Sequence, residues 1–128
     1  LSVAEAVIDV LIGEGMVENA AKMGAVMRSE MDRLQEKHPS MKEGRQIGLF
    51  GMIDVQKNSN GDPAAPYNGK SEVMNKLGAF FREQGLFTFI RWGSFMCNPP
   101  LCITEDQLLE AFAIVDKGLD ICDEAFEG

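Results

Sequence analysis

The residues best suited to chemistry lie in the tract Leu86–Thr104, where a single arginine interrupts a mostly apolar sequence. The pattern of this tract predicts a strand, a tight reversal and a second strand that Pro99 and Pro100 end. Arg91 lies at the reversal beside Trp92, so a permanently charged, planar donor is next to an aromatic ring. A guanidinium can bind a carboxylate through two parallel hydrogen bonds. Arg91 is therefore predicted either to pair with an acid of this chain or to bind the carboxylate of a ligand.

No complete catalytic motif accompanies this arginine. The sequence contains no GxSxG elbow, no P-loop and no GxGxxG turn after a strand. Its one histidine, His38, is expected to bond helix carbonyls or solvent at the end of a helix, and nothing around it has metal-ligand spacing. Cys97, Cys102 and Cys122 include no CxxC pair, so we expect reduced thiols that pack as small hydrophobic side chains. Because no complete catalytic motif is present, we predict that this chain contributes only part of a functional site.

Composition and charge limit the class of protein. The chain has 128 residues, of which 45% are hydrophobic and 25% charged, and its formal net charge is -8. The acidic excess lies in residues 103–128, which we interpret as a solvated face of the last helix. This charge argues against nucleic acid as a partner, because phosphate binding needs clustered lysine and arginine. No apolar run approaches the roughly 20 residues of a membrane span. The sequence thus predicts one cytoplasmic domain with no membrane contact.

Apolar residues spaced three and four apart predict four helices. The first two cover about residues 2–12 and 16–38, and Pro39 stops the second. Ser71 is a predicted cap of the third helix, and Thr104, with a glutamine three residues on, predicts a capping box for the fourth.

A strand buried on both sides is predicted over Arg45–Val55. Gly48 and Gly51 within it indicate either close approach of another backbone or a bulge. In the second helix, the small residues Ala20, Ala21 and Gly24 would let another element approach closely. The predicted order is α-α-β-α-β-β-α. It favours an α+β fold, with a small antiparallel or mixed sheet of about three strands packed against helices.

The order of these segments resembles the C-terminal small domain of the class III (omega-amino acid) aminotransferases, which are pyridoxal-phosphate enzymes of fold type I. Each matching piece is modest alone, but together they run nearly end to end in a specific order and spacing. The pieces are GEGMVENA at Gly13–Ala20, RQIGLFGMIDV at Arg45–Val55, GLFTFIR at Gly85–Arg91 and NPPLCITE at Asn98–Glu105. The tract Thr88–Thr104 is most similar to the taurine:pyruvate branch and its omega-amino acid relatives.

The resemblance implies roles for particular residues. Arg91 would be the family's arginine that engages the substrate carboxylate and swings aside for other substrates. By residue type, and apart from the resemblance, Trp92 and Phe89 would shield such a contact from water, so Trp92 is a predicted substrate-binding neighbour. Arg45 matches the arginine before the family's Arg-x-x-Gly-Leu strand and would support the domain interface. Pro99 and Pro100 match the family's Pro-Pro turn and would carry no chemistry.

The resemblance also implies what lies outside this chain. The Schiff-base lysine, the acid that pairs with the pyridine nitrogen and the phosphate-binding loop would belong to a large domain before Leu1. Residues 1–128 would then be a C-terminal small domain, inactive alone. We expect an apolar face, partly on the first two helices, that the large domain or the second subunit of a homodimer would cover.

The full-length enzyme would use pyridoxal phosphate to transfer an amino group from a taurine-like amine or omega-amino acid to pyruvate. Two alternatives remain open. One is a stand-alone α+β binding or interaction module without catalysis, and the other is an aminomutase or racemase of the same family.

Overall fold

The computed structural model describes residues 1–128 as four helices and one four-stranded sheet. The helices are α1 (Ser2–Gly13), α2 (Met16–Lys37), α3 (Glu72–Glu83) and α4 (Glu105–Glu124). The strands are β1 (Met41–Ile47), β2 (Phe50–Val55), β3 (Ile90–Arg91) and β4 (Ser94–Cys97). The predicted α+β fold is confirmed, although the sheet has four strands in place of about three. All neighbouring strands are antiparallel, in the order β1-β2-β4-β3.

The predicted helices are confirmed, and two of them begin at the predicted caps. Ser71 accepts a hydrogen bond from the backbone N–H of Met74 at 3.3 Å at the start of α3. Thr104 and Gln107 form both bonds of the predicted capping box of α4. Because each of these hydrogen bonds joins residues three apart in the chain, the start of each helix can be predicted from the local sequence alone.

The predicted single strand over Arg45–Val55 is wrong, because this segment contains the end of β1, a turn and β2. Gly48 and Leu49 form the turn, and Ile47 pairs with Phe50 on either side of it. Gly48 has φ +55, which glycine adopts without steric cost and which two-residue hairpin turns require. The predicted burial on both sides is also wrong, since Phe50 is 67% exposed. The alternation of apolar residues along the sequence continues through the two-residue turn. The spacing of apolar residues therefore did not reveal that the chain reverses direction there.

Glycines bring this hairpin close to α2, so the structure shows the close approach that was one of the two interpretations of Gly48 and Gly51, and the register shift of the sheet lies elsewhere, between Met41 and Glu43. A Cβ on Gly24 of α2 would lie 2.8 Å from the Cα of Gly48. A Cβ on Gly51 would lie 2.9 Å from the Cε of Met27 and 3.0 Å from the Cε of Met31. The hairpin backbone therefore contacts the helix backbone directly at Gly48, and at Gly51 it packs against the side chains of Met27 and Met31.

The core lies between the helices and one face of the sheet. Phe81 of α3 packs edge-on against Phe95 of β4, with ring centroids 5.3 Å apart. Side chains alternate between faces along each strand, so Met52 and Asp54 of β2 and Met96 of β4 lie on the opposite, half-buried face. The largest fully buried apolar side chains are Phe81, Phe95, Met27, Met31, Leu34, Ile53, Leu77, Leu108, Leu119 and Val55.

His38, just after α2, is only 1% exposed, so its predicted contact with helix carbonyls or solvent is wrong. Its ring nitrogens lie 2.6 Å from a carboxylate oxygen of Asp123 and 2.8 Å from one of Asp116. Asp116 also accepts hydrogen bonds from Arg33 at 2.9 Å and Lys37 at 2.6 Å. The acidic residues of α4 are therefore not simply solvated, because two of them join α4 to the end of α2.

The cysteines differ in their surroundings, and all three are free thiols. Cys97 and Cys122 are buried, and burial raises the pKa of each thiol to about 12, helped at Cys122 by the charge of Asp123. Cys102 is exposed, so the expectation that it packs as a small hydrophobic side chain is wrong. None of the helices is both long enough and apolar enough to span a membrane.

Helix α1 buries none of its residues. Its apolar side chains Val3, Val7 and Val10 are 75%, 52% and 46% exposed, and Val17 at the start of α2 is 63% exposed. An apolar surface on the first two helices was predicted from the sequence, and it is present.

Candidate functional site

The hairpin of β3 and β4 places Arg91 at the edge of the sheet. Arg91 pairs with Ser94, so Trp92 and Gly93 form a two-residue turn between the strands. The predicted strand, reversal and strand are confirmed, although β3 is only two residues long. Trp92 has φ +54, a conformation that the first residue of such turns adopts and that glycine usually supplies.

Arg91 makes no ion pair with any acid of the chain. Its side chain is exposed, and the Cζ of its guanidinium lies 4.5 Å from the centroid of the Trp92 ring. A contact of this kind with an aromatic ring is a cation–π interaction, which does not use the N–H groups of the guanidinium as an ion pair with a carboxylate would. Of the two alternatives that the sequence left open, the ion pair within the chain is not formed.

The acid nearest to Arg91 along the sheet register is already bound by other residues. Asp54 of β2 pairs with Ser94, which pairs in turn with Arg91. One Asp54 oxygen accepts a hydrogen bond from the Ser94 hydroxyl at 2.6 Å, and the other forms an ion pair with Arg45 at 2.6 Å. Arg45 also lies 3.5 Å from Glu43. Arg45 thus has acidic partners within the chain, and both oxygens of Asp54 are bound by residues other than Arg91.

Tyr67 completes the surroundings of Trp92. The two ring centroids are 4.3 Å apart, with the planes tilted by 48°. Tyr67 belongs to the loop between β2 and α3, which is joined to the sheet by a bond from the Ala64 N–H to the Val55 carbonyl at 2.9 Å. Sequence reasoning missed Tyr67, because the loop seemed only polar. Its one available signal was that this is the single tyrosine of the chain.

An apolar cavity of about 440 Å³ lies beneath residues 86–89, against β4 and α4. No charged residue lines it, and its main polar groups are already bonded. The Thr88 hydroxyl donates to the carbonyl of Met96, and the side-chain oxygen of Asn98 accepts from the Gly51 N–H at 3.0 Å. Cys97 also lines the cavity, but burial raises the pKa of its thiol to about 12, so the cavity offers no group ready for acid, base or nucleophilic chemistry near neutral pH.

Comparison with known proteins identifies the family of this fold. Residues 1–119 match the family model described as Aminotransferase class-III. The chain therefore belongs to the class III aminotransferase family, as the resemblance of its sequence motifs implied.

Three relatives illustrate the match. Taurine:2-oxoglutarate aminotransferase from Bifidobacterium kashiwanohense, solved in complex with PLP and glutamate, has a TM-score of 0.87 and 29% identity, covering 93% of this chain and 27% of that chain. Mitochondrial ornithine aminotransferase of Oryza sativa subsp. japonica is 32% identical, over 86% of this chain and 22% of its own length. Isoleucine 2-epimerase of Lentilactobacillus buchneri is 30% identical, over 94% of this chain and 24% of its own length. The chain thus spans about a quarter of these relatives.

The residues of this chain do not form a site for pyridoxal phosphate by themselves. This cofactor is held through a Schiff base with a lysine. All seven lysines here are exposed, and two of them, Lys37 and Lys76, are paired with Asp116 and Glu72. The apolar cavity beneath the hairpin contains no lysine. A cofactor site would need groups from outside residues 1–128.

Proposed function

We propose that residues 1–128 are the C-terminal small domain of a class III aminotransferase that depends on pyridoxal phosphate, and that Arg91 binds the substrate carboxylate in that enzyme. The observation that carries the proposal is the state of Arg91, which is exposed and has no acidic partner in the chain. An arginine without such a partner keeps its whole fork of N–H donors available to a ligand. The membership of the chain in this family makes an amino acid or keto acid the natural ligand.

The work of the domain in this proposal is recognition. Pyridoxal phosphate, bound by the large domain, would supply the electron sink for amino-group transfer. Arg91 would bind a carboxylate through two hydrogen bonds, which fixes the orientation of the substrate as well as its position. Trp92 would cover one face of the guanidinium and exclude water from it. Without the large domain this chain would be inactive.

For the reaction, we propose transfer from a taurine-like amine or omega-amino acid to pyruvate. The solved relative from Bifidobacterium is described as using taurine and 2-oxoglutarate, which supports a donor of this kind. Pyruvate and 2-oxoglutarate both carry a carboxylate beside a keto group, so Arg91 would have the same role with either acceptor. The relative described as isoleucine 2-epimerase favours a racemase or aminomutase as the second candidate.

The exposed apolar surface supports a covering partner. It includes the apolar side chains of α1 and extends to the tip of the β1–β2 hairpin, where Ile47 and Phe50 are 85% and 67% exposed. Exposed patches of this kind mark interaction surfaces. We propose that the large domain covers this surface in a cytoplasmic homodimer. A natural polypeptide about four times as long as this chain is expected, and one of only this length would contradict the domain assignment.

Kinetics of the full-length protein test the role of Arg91. Hydrogen bonds to charged groups contribute about 1.5–3 kcal/mol, so Arg91→Ala should raise the KM for pyruvate by about 10- to 100-fold. Absorbance of the bound cofactor should stay unchanged. Arg82→Ala is the matched control, since Arg82 is an exposed arginine of α3 with no ion pair. Equal pyruvate kinetics in the Arg91 and Arg82 variants would refute the assignment.

A further inference from the structure

Three side chains from two separate segments meet at the edge of the sheet. The Trp92 ring contacts both Tyr67, with the two ring centroids 4.3 Å apart, and the Arg91 guanidinium, whose Cζ lies 4.5 Å from the Trp92 centroid. Tyr67 is 78% exposed and is not among the residues of the core. Trp92 is half-buried against the core, so Tyr67 is the member of this group that burial of apolar area does not explain.

Unusual backbone conformations occur at Trp92 and at the residue after Tyr67. Trp92 has φ +54, and Asn68, directly after Tyr67, has φ +58. Asparagine tolerates this region well, whereas a bulky residue there is an outlier that surrounding structure must enforce. Such residues concentrate at functional sites. The conformation of Trp92 places its indole ring beside Tyr67 and Arg91.

The loop that contains Tyr67 is fixed against the turn by backbone contacts. The Val55 N–H donates to the Gly93 carbonyl at 2.7 Å, and the Ala64 N–H donates to the Val55 carbonyl at 2.9 Å. A Cβ on Gly93 would lie 3.1 Å from the Ala64 nitrogen, so the loop and the turn are in close contact. The group thus rests on ordered backbone on both sides.

Stacking suits an arginine that has to bind a carboxylate. A free arginine side chain samples many rotamers, and a ligand that binds it must pay for fixing one of them. An ion pair would fix the guanidinium but would also use its N–H groups. Contact with an aromatic face restrains the guanidinium and leaves its edge open.

We propose that Tyr67 is a positioning residue, which holds the Trp92 ring so that this ring holds the Arg91 guanidinium ready for a carboxylate. The inference rests on the proposed function, because it assigns Tyr67 to the same site. It adds a residue from a different segment of the chain, the loop between β2 and α3.

Replacing Tyr67 tests this proposal in the full-length protein. Tyr67→Leu removes one aromatic layer and should raise the KM for pyruvate about twofold to fivefold, the range expected from a weakened contact between a cation and an aromatic face. The kcat should stay unchanged. Tyr67→Phe keeps the ring and should retain the wild-type KM, which separates stacking from any role of the hydroxyl.

Fluorescence of the 128-residue chain gives an independent readout. Trp92 is its only tryptophan. Tyr67→Leu should shift the Trp92 emission to longer wavelength as the ring gains solvent, and Tyr67→Phe should not.

The outcomes separate the two proposals. If Arg91→Ala leaves the pyruvate KM unchanged, the role of Arg91 is wrong. If Arg91→Ala raises this KM while Tyr67→Leu does not, only the role of Tyr67 is overturned. The role of Tyr67 is also overturned if Tyr67→Leu and Tyr67→Phe raise the KM for pyruvate equally. It is likewise overturned if Tyr67→Leu leaves the wavelength of the Trp92 emission unchanged.

Discussion

Asp116 offers a direct test of the contacts that hold α4 against the end of α2. Its carboxylate accepts hydrogen bonds from Lys37 at 2.6 Å, from His38 Nε2 at 2.8 Å and from Arg33 at 2.9 Å. Asp116→Asn removes the negative charge and keeps the size of the side chain. Since one partner is buried, we expect this variant to be less stable than the wild type by about 3 kcal/mol.

The magnitude follows from the exposure of the three partners. The side chains of Lys37 and Arg33 are 52% and 45% exposed, so each can return to water and each pair contributes under about 1 kcal/mol. His38 is 1% exposed and cannot do so. Losing a hydrogen bond to a charged group costs about 1.5–3 kcal/mol. The sum is roughly 3 kcal/mol, which for a chain of this size lowers Tm by about 10 °C.

The difference between the wild type and Asp116→Asn should also depend on pH. Burial alone raises the pKa of Asp116, but hydrogen bonds from Lys37, Arg33 and His38 outweigh it and hold the pKa well below its usual 3.8. The unfolded chain therefore binds this proton more readily than the folded protein does. The stabilisation is fully present above about pH 4 and is lost as the pH falls through the depressed folded-state pKa. The two proteins should converge in stability in strong acid.

Urea unfolding at several pH values measures both effects. Asp120→Asn is the matched control, because Asp120 lies one turn along α4, 3.8 Å from His38 Nδ1, and is 59% exposed. This control should lose less than about 1 kcal/mol. The reasoning fails if both variants lose equal stability, or if the loss in Asp116→Asn is the same at pH 3 as at pH 6.

Two further substitutions test local structure. Gly24→Ala should destabilise the chain despite the better helix propensity of alanine, because the new Cβ would lie 2.8 Å from the Cα of Gly48. Gly13→Ala, which meets nothing within 4 Å, is the control in urea unfolding, and equal midpoints for the two variants would contradict the close contact. Thr104→Ala should cost about 1 kcal/mol by removing the cap of α4. Thr104→Ser should retain most of that stability, and a Ser variant as unstable as the Ala variant would argue against a capping role.

The sheet explains how an arginine stays available for a ligand in a chain with a net charge of -8. Ser94 pairs with Arg91 in the sheet, and its hydroxyl donates a hydrogen bond to one oxygen of Asp54. Arg45 forms an ion pair with the other oxygen of that carboxylate. Both oxygens of the acid that shares the register of Arg91 across the sheet are therefore occupied. Arg91 itself forms no ion pair within the chain.

Features encoded within a few residues were predictable from the sequence. The four helices, the Ser71 cap and the Thr104 capping box were predicted because their hydrogen bonds join residues three or four apart. The family was recognisable because its motifs keep their order along the chain. The turn at Gly48 was missed, since a two-residue turn leaves the alternation of apolar residues almost undisturbed.

Contacts between distant segments could not be predicted in this way. His38 and Asp123 are 85 positions apart, and only the packing of α2 against α4 brings them within 2.6 Å. The sequence by itself determined that Arg91 lies at a reversal beside an aromatic ring, and it left open whether an acid of the chain binds it. The tertiary structure decided that question, because Arg45 and Ser94 bind Asp54 and the loop with Tyr67 packs against Trp92. A guanidinium interacts with whatever charge lies near it in space, and the separation of residues along the chain does not give that distance.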